Sequence, residues 1–226
     1  MTSYTRLRFG DVWWRVRSDA ARLLFDAAGL RLASWLESGQ ASIVKQGPHR
    51  TVYRVQLDGR SVYIKHIRVP DTRAMLSQWI QSSKSRREWD RIEQAAGWAI
   101  PTIVPLALGE QRKAGLVFEN FLITEGIDEV ESLDIFVQNT LPKLPTQRQG
   151  QLRRRLADGL AELTARLHEA GVVHPDLHAG NVLVKLDDTG GVQLHLVDLE
   201  EAVPRDRASW RRSRKNLLDL GLFFLL

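Results

Sequence analysis

The sequence predicts an α+β fold: an N-terminal antiparallel sheet of about five strands with one helix, followed by a mainly helical C-terminal lobe. Three observations carry this. Residues 42–69 alternate β-branched and aromatic residues with polar ones, the period of half-buried strands. Leu152, Leu156, Leu160, Leu163 and Leu167 recur at three- and four-residue steps, the apolar stripe of a helix. Between two apolar runs lies "GVVHPDLHAGNVLV", Gly171 to Val184, which packs two histidines, an aspartate and an asparagine into eight positions. A polar loop bounded by such runs usually holds a ligand.

In chain order, residues 1–40 form a Trp- and Arg-rich extension, with a helix expected from Ser18 or Asp19 and punctuated by Gly29 and Gly39. The stretch "SIVKQGPHRTVYRVQLDGRSVYIKHIRV" then reads as three strands separated by "QGPH" and "LDGR". Asp58-Gly59 is a strong two-residue hairpin signal. A helix follows in "SSKSRREWDRIEQAAG", then two strands in "IVPLALGE" and "AGLVFENFLIT". This first lobe spans 41–127 and the second 128–226. The second opens with a Pro-containing connector, "LPKLPTQRQG". Its leucine helix is closed by Gly171, and a hairpin, "VLVKLDDTGGVQLHLVDLE", follows the polar loop. The chain ends on the apolar run "NLLDLGLFFLL" with no cap or polar tail, so the C-terminal lobe is expected to be incomplete here.

Composition narrows the function. The 226 residues suffice for one large domain or two small lobes. There are no cysteines, which excludes disulfides and thiolate metal sites. No signal peptide is evident, and no apolar run reaches the ~18 residues of a membrane span. The expected location is the cytoplasm. The formal net charge of +5 favours an anionic partner. Charge alone supports a nucleic-acid binder, and no helix-turn-helix pattern, zinc spacing or RNA-binding aromatic motif joins it.

The chemistry resides in a spaced set of residues. Asp198 ends the second strand of the hairpin, which should return it toward Asn181. A carboxylate and an amide oxygen are hard ligands suited to Mg²⁺, which takes one or two protein ligands plus substrate phosphates. Asp176 stays free to accept a proton from an attacking hydroxyl. Lys65, on a strand face with Tyr63 and Ile67, suits α- and β-phosphates, with Glu88 of the following helix as the carboxylate that orients it. The turn at Gly47 lies where backbone amides could cover phosphates, although one glycine is weak evidence for such a loop.

This ordered set of Lys65, Glu88, "HPDLHAGN" and "LVDLE" resembles the protein-kinase-like superfamily. It is most similar to the bacterial lipopolysaccharide-core kinases of the Kdo/WaaP family, with a catalytic loop like that of aminoglycoside and choline phosphotransferases. The resemblance runs from about Ser42 to the end of the chain. It implies a two-lobe kinase fold that uses ATP and Mg²⁺. Asp176 would be the catalytic aspartate, Asn181 and Asp198 the metal ligands, Lys65 the phosphate-binding lysine and Glu88 its partner. Backbone groups from Thr124 to Gly126, around Glu125, would meet adenine. The acceptor would be a hydroxyl on a sugar of an anionic glycolipid.

Departures from protein kinases separate the alternatives. "HPDLHAGN" replaces HRDLxxxN, "DLE" replaces DFG, and no APE motif closes an activation segment. These changes speak against a peptide-docking platform, and the alternatives are a Ser/Thr protein kinase of unusual form and an aminoglycoside- or choline-like small-molecule phosphotransferase. A non-catalytic scaffold would be expected to have lost at least one of these residue types. His174 is read as bracing the loop, His195 as structural, and His178 as either bracing or touching substrate. The basic run Arg207 to Asn216 suits an anionic substrate or the inner membrane surface.

Overall fold

The computed structural model of the chain describes residues 3–69, 82–113, 115–187 and 189–204. Two compact units emerge: residues 1–90 with 104–128, and residues 91–103 with 129–226.

The first unit is built on one antiparallel sheet. Its strands are β1 (Tyr4–Phe9), β2 (Val12–Arg17), β5 (Ala41–Gln46), β6 (Arg50–Leu57), β7 (Arg60–Arg68), β8 (Pro105–Lys113) and β9 (Leu116–Glu125). Their order across the sheet is β1-β2-β8-β9-β7-β6-β5. The five strands expected from residues 42–125 are present, and the N-terminal hairpin β1–β2 extends them to seven. Asp58 and Gly59 both take positive φ, 41° and 79°, as the tight β6–β7 turn requires.

Strand alternation gives the sheet two different faces. Tyr53, Ile64, Ile123, Ala107 and Val16 form one cross-strand row through five strands. Val16, Ile64, Ala107 and Ile123 are fully buried in a core that also takes in Trp14, Phe25 and Trp35. The segment between β2 and β5 covers this face. Helix α3 (Lys84–Gly97) has its residues through Asp90 in this unit.

The segment covering the core differs from the single helix expected after Ser18. It consists of helix α1 (Ala21–Leu24), the paired short strands β3 (Phe25–Asp26) and β4 (Gly29–Leu30), and helix α2 (Leu32–Glu37). Tertiary packing overrides local propensity here. Phe25 stacks parallel to Phe9 at 5.6 Å and edge-on to Trp14 at 4.8 Å. Gly29, at φ 118°, turns the chain where a Cβ would press on the Phe9 side chain.

The second unit contains β10 (Val130–Ser132), α4 (Leu133–Ile135), α5 (Thr146–Glu169), β11 (Val172–Val173), β12 (Val182–Leu186), β13 (Val192–Leu196) and β14 (Val203–Pro204). Strands β10, β12 and β13 form a three-stranded sheet, and β11 pairs with β14. Helix α5 buries all five leucines of the repeat, and Gly171 leaves the helix at φ 68°. Within the Pro-containing connector, Leu141–Lys143 form a 3₁₀ turn and α5 begins at Thr146. The basic run Arg207 to Asn216 and the apolar chain end lie outside the described residues.

Candidate active site

In the first unit, Lys65 sits in the centre of β7, paired with Val52 on one side and Leu122 on the other. The pleat that buries Val62 and Ile64 in the core turns Lys65 to the opposite face. There its Nζ donates to Glu88 Oε1 at 2.5 Å, and the Glu88 side chain is almost fully buried. A desolvated carboxylate fixes the ammonium by a charge-assisted hydrogen bond. The spacing-based pairing of Lys65 with Glu88 is therefore present in the structure.

The start of α3 is held by residues that spacing did not single out. Ser83 Oγ donates to Glu110 Oε1 at 2.5 Å and accepts from the Arg86 amide. Ser85 Oγ donates to Asn120 Oδ1 at 2.6 Å. Arg86 and Arg112 each donate to Glu110 Oε2. Glu110 and Asn120 face each other across β8 and β9, so one point on the sheet anchors the helix. Burial pushes the Glu110 carboxyl up, but the hydrogen bonds from Arg86, Ser83 and Arg112 outweigh it and hold it below its usual value.

The end of β9 carries the segment expected at adenine. The Glu125 amide donates to Val104 O, and the Gly126 amide donates to Ser61 O. A Cβ on Gly126 would lie 2.2 Å from Ser61 Oγ, so this position requires glycine. The Glu125 side chain is 4.0 Å from the Arg17 guanidinium. Gly47 sits in the β5–β6 turn, where its amide donates to Arg50 O at 2.8 Å. A Cβ there would make only an ordinary contact, so the turn itself gives no steric reason for glycine.

In the second unit the loop between β11 and β12 brings its polar residues together. Asn181 is buried, and its Nδ2 donates to the Asp176 backbone carbonyl at 2.9 Å. That bond fixes the orientation of the side-chain amide. The Val197 amide donates to Asn181 O at 2.9 Å, and Val182 pairs with Leu196. The hairpin thus returns Asp198 beside Asn181. Asp198 adopts the left-handed conformation, φ 60° and ψ 49°, a strained geometry for a residue with a side chain, common at functional sites.

His174 is 1% exposed. Burial lowers its pKa, against the pull of Asp176, Asp198 and the backbone of Asp198 and Val197. It sits between the polar loop and the aspartate segment. His178 has a different role. Its Nδ1 accepts from the Gly180 amide at 3.0 Å, which confines the ring proton of neutral imidazole to Nε2. Nε2 points at Asp176, 3.5 Å from Oδ2. The Asp176 carboxylate itself is exposed.

The donor set fits magnesium. One amide oxygen and one carboxylate offer hard oxygens with positions left for phosphate. Among the described residues no group of three or more histidines and acids gathers as a metal cage, and a site completed by phosphates needs none.

Comparison with known proteins identifies the family. The family model described as "Lipopolysaccharide kinase (Kdo/WaaP) family" matches residues 34–225. The lipopolysaccharide core heptose(I) kinase WaaP of Pseudomonas aeruginosa is 25% identical over 201 residues, covering 83% of this chain and 74% of its own. A 3-deoxy-D-manno-octulosonic acid kinase of Pasteurella multocida is 26% identical over 141 residues, covering 62% of this chain and 53% of its own. A solved structure, "WaaP in complex with acyl carrier protein", shares the fold with a TM-score of 0.65 at 24% identity, covering 94% of this chain and 81% of that one. The chain belongs to the lipopolysaccharide kinase (Kdo/WaaP) family and is an ATP-dependent phosphotransferase with an alcohol group as acceptor.

Proposed function

We propose that the enzyme phosphorylates a sugar hydroxyl of the lipopolysaccharide core or of a related anionic glycolipid. Both named relatives act on sugars, a heptose and 3-deoxy-D-manno-octulosonic acid. The observation that carries the reading is Asn181, buried and tied to the Asp176 carbonyl while its own carbonyl receives Val197. One residue thereby links the Asp176 loop, through its side chain, to the aspartate segment, through its backbone carbonyl.

Asp176 orients the acceptor hydroxyl and takes its proton as the bond to phosphorus forms. Asn181 Oδ1 and Asp198 are the residues that would hold Mg²⁺, which when bound neutralises charge on the phosphates. Lys65, braced by Glu88, binds the α- and β-phosphates. The turn at Gly47 covers the phosphates, and the backbone around Glu125 meets adenine. Positioning and charge neutralisation supply most of the rate in this class of reaction.

Among the described residues no helix is long and apolar enough to cross a membrane. We place the enzyme in the cytoplasm, with peripheral contact at the inner membrane face where a glycolipid acceptor would be presented. Mass spectrometry of envelope glycolipids, with and without the active protein, tests the acceptor class. Loss of one phosphate from a core sugar is the expected result. An unchanged core, with phosphate missing from a protein or a free metabolite, contradicts the reading.

A further inference from the structure

The β1–β2 hairpin precedes residue 34, where the family match begins, yet it reaches helix α3. Arg15 of β2 pairs with Leu108, Leu108 with Leu122, and Leu122 with Lys65. These four residues form one cross-strand row on one face of the sheet, spanning roughly 14 Å at the usual strand spacing. Leu108 and Leu122 are fully buried. Glu88 meets Lys65 at one end of this row. At the other end, adjacent Trp89 meets Arg15.

The contact with Trp89 is directional. The Arg15 guanidinium lies 4.3 Å from the Tyr4 ring centroid and 5.2 Å from that of Trp89. The Tyr4 and Trp89 rings meet edge to face at 5.6 Å and 63°. Trp89 is fully buried. Successive helical residues differ by about 100° around the axis, so fixing the azimuth of Trp89 also fixes that of Glu88. The Glu110–Asn120 anchor holds the first turn of α3, and the hairpin holds its middle against rotation. An aliphatic contact would fill the same space without this orientation.

We propose that Arg15 and Tyr4 are positioning residues that, through Trp89, hold Glu88 in register with Lys65. The α3 helix is thus kept in its ion-paired position by a segment of the same chain. This inference rests on the reading that Lys65 and Glu88 serve the nucleotide.

The test is MgATP titration of the full chain, with thermal melting measured in parallel, for Arg15→Ala, Arg15→Lys, Glu88→Gln and the double variant Arg15→Ala/Glu88→Gln. Arg15→Ala should weaken MgATP binding by about three- to tenfold, the scale of a partly desolvated cation–π contact. Arg15→Lys should recover part of the loss. In the Glu88→Gln background Arg15→Ala should add nothing, because both act through one ion pair. If Arg15→Ala prevents folding, Tyr4→Ala takes its place with the same expectations. Unchanged MgATP affinity in Arg15→Ala, or an equal loss in both backgrounds, overturns the inference while leaving the roles of Lys65 and Glu88 intact. Unchanged affinity in Glu88→Gln itself overturns those roles and the inference with them.

Discussion

Lys65 Nζ lies 2.5 Å from Glu88 Oε1, joining the centre of a strand to a helix 23 residues further along the chain. Glu88 is too deeply buried to be replaced by solvent. Lys65→Met should therefore weaken MgATP binding by about tenfold or more, the scale of a lost charge-assisted hydrogen bond. Isothermal titration of the purified protein measures this, and an unchanged dissociation constant would contradict the phosphate role.

Asp176 is exposed, with its backbone carbonyl committed to Asn181. Asp176→Asn keeps that backbone bond and removes only the proton acceptor. Turnover should fall by about a hundredfold or more, while MgATP affinity stays within about twofold. Parallel kinetics and titration check both halves. Full activity, or loss of nucleotide binding, speaks against the assignment.

His178 separates into two functions that substitutions can isolate. His178→Asn supplies an acceptor for the Gly180 amide without reaching Asp176. His178→Gln extends toward Asp176 but loses the local cap. If the Nε2–Asp176 contact orients the base, Gln should retain more turnover than Asn, and Asn should retain the higher melting temperature. The reverse ordering of turnover would make His178 a structural cap alone.

Stability should depend on pH through the histidines. Burial lowers the pKa of His66, His168, His174 and His195. Below the ordinary histidine value of about 6.5, the unfolded chain binds protons that the folded chain resists. Stability should therefore be complete above that pH and fall as pH drops toward 5. Melting temperatures from pH 5 to 8 test this, and a flat profile would contradict it.

Much of the fold around the candidate site was legible because its residues are constrained locally. The leucine repeat of α5 follows from helical period alone, and Asp58-Gly59 marks its turn because few pairs tolerate two positive φ angles. Asn181 and Asp198 come together because a short hairpin leaves them no alternative. The β1–β2 hairpin was less legible. Its inward residues Leu7, Phe9, Trp14 and Val16 do alternate, but four arginines on the other face mask the pattern. The helix expected after Ser18 failed because Phe25 gains more from packing on Phe9 and Trp14 than from continuing a helical turn. Glu110 carried no local signal at all. Its role appears only when β8 brings it beneath Ser83 and Arg86.

The most direct measurement incubates the purified chain with ATP, Mg²⁺ and dephosphorylated lipopolysaccharide core oligosaccharide, and locates transferred phosphate by NMR. A phosphate monoester on one sugar hydroxyl is expected, formed by the wild type and absent with Asp176→Asn. Phosphate found on protein, or ATP consumed with no sugar ester formed, would contradict it.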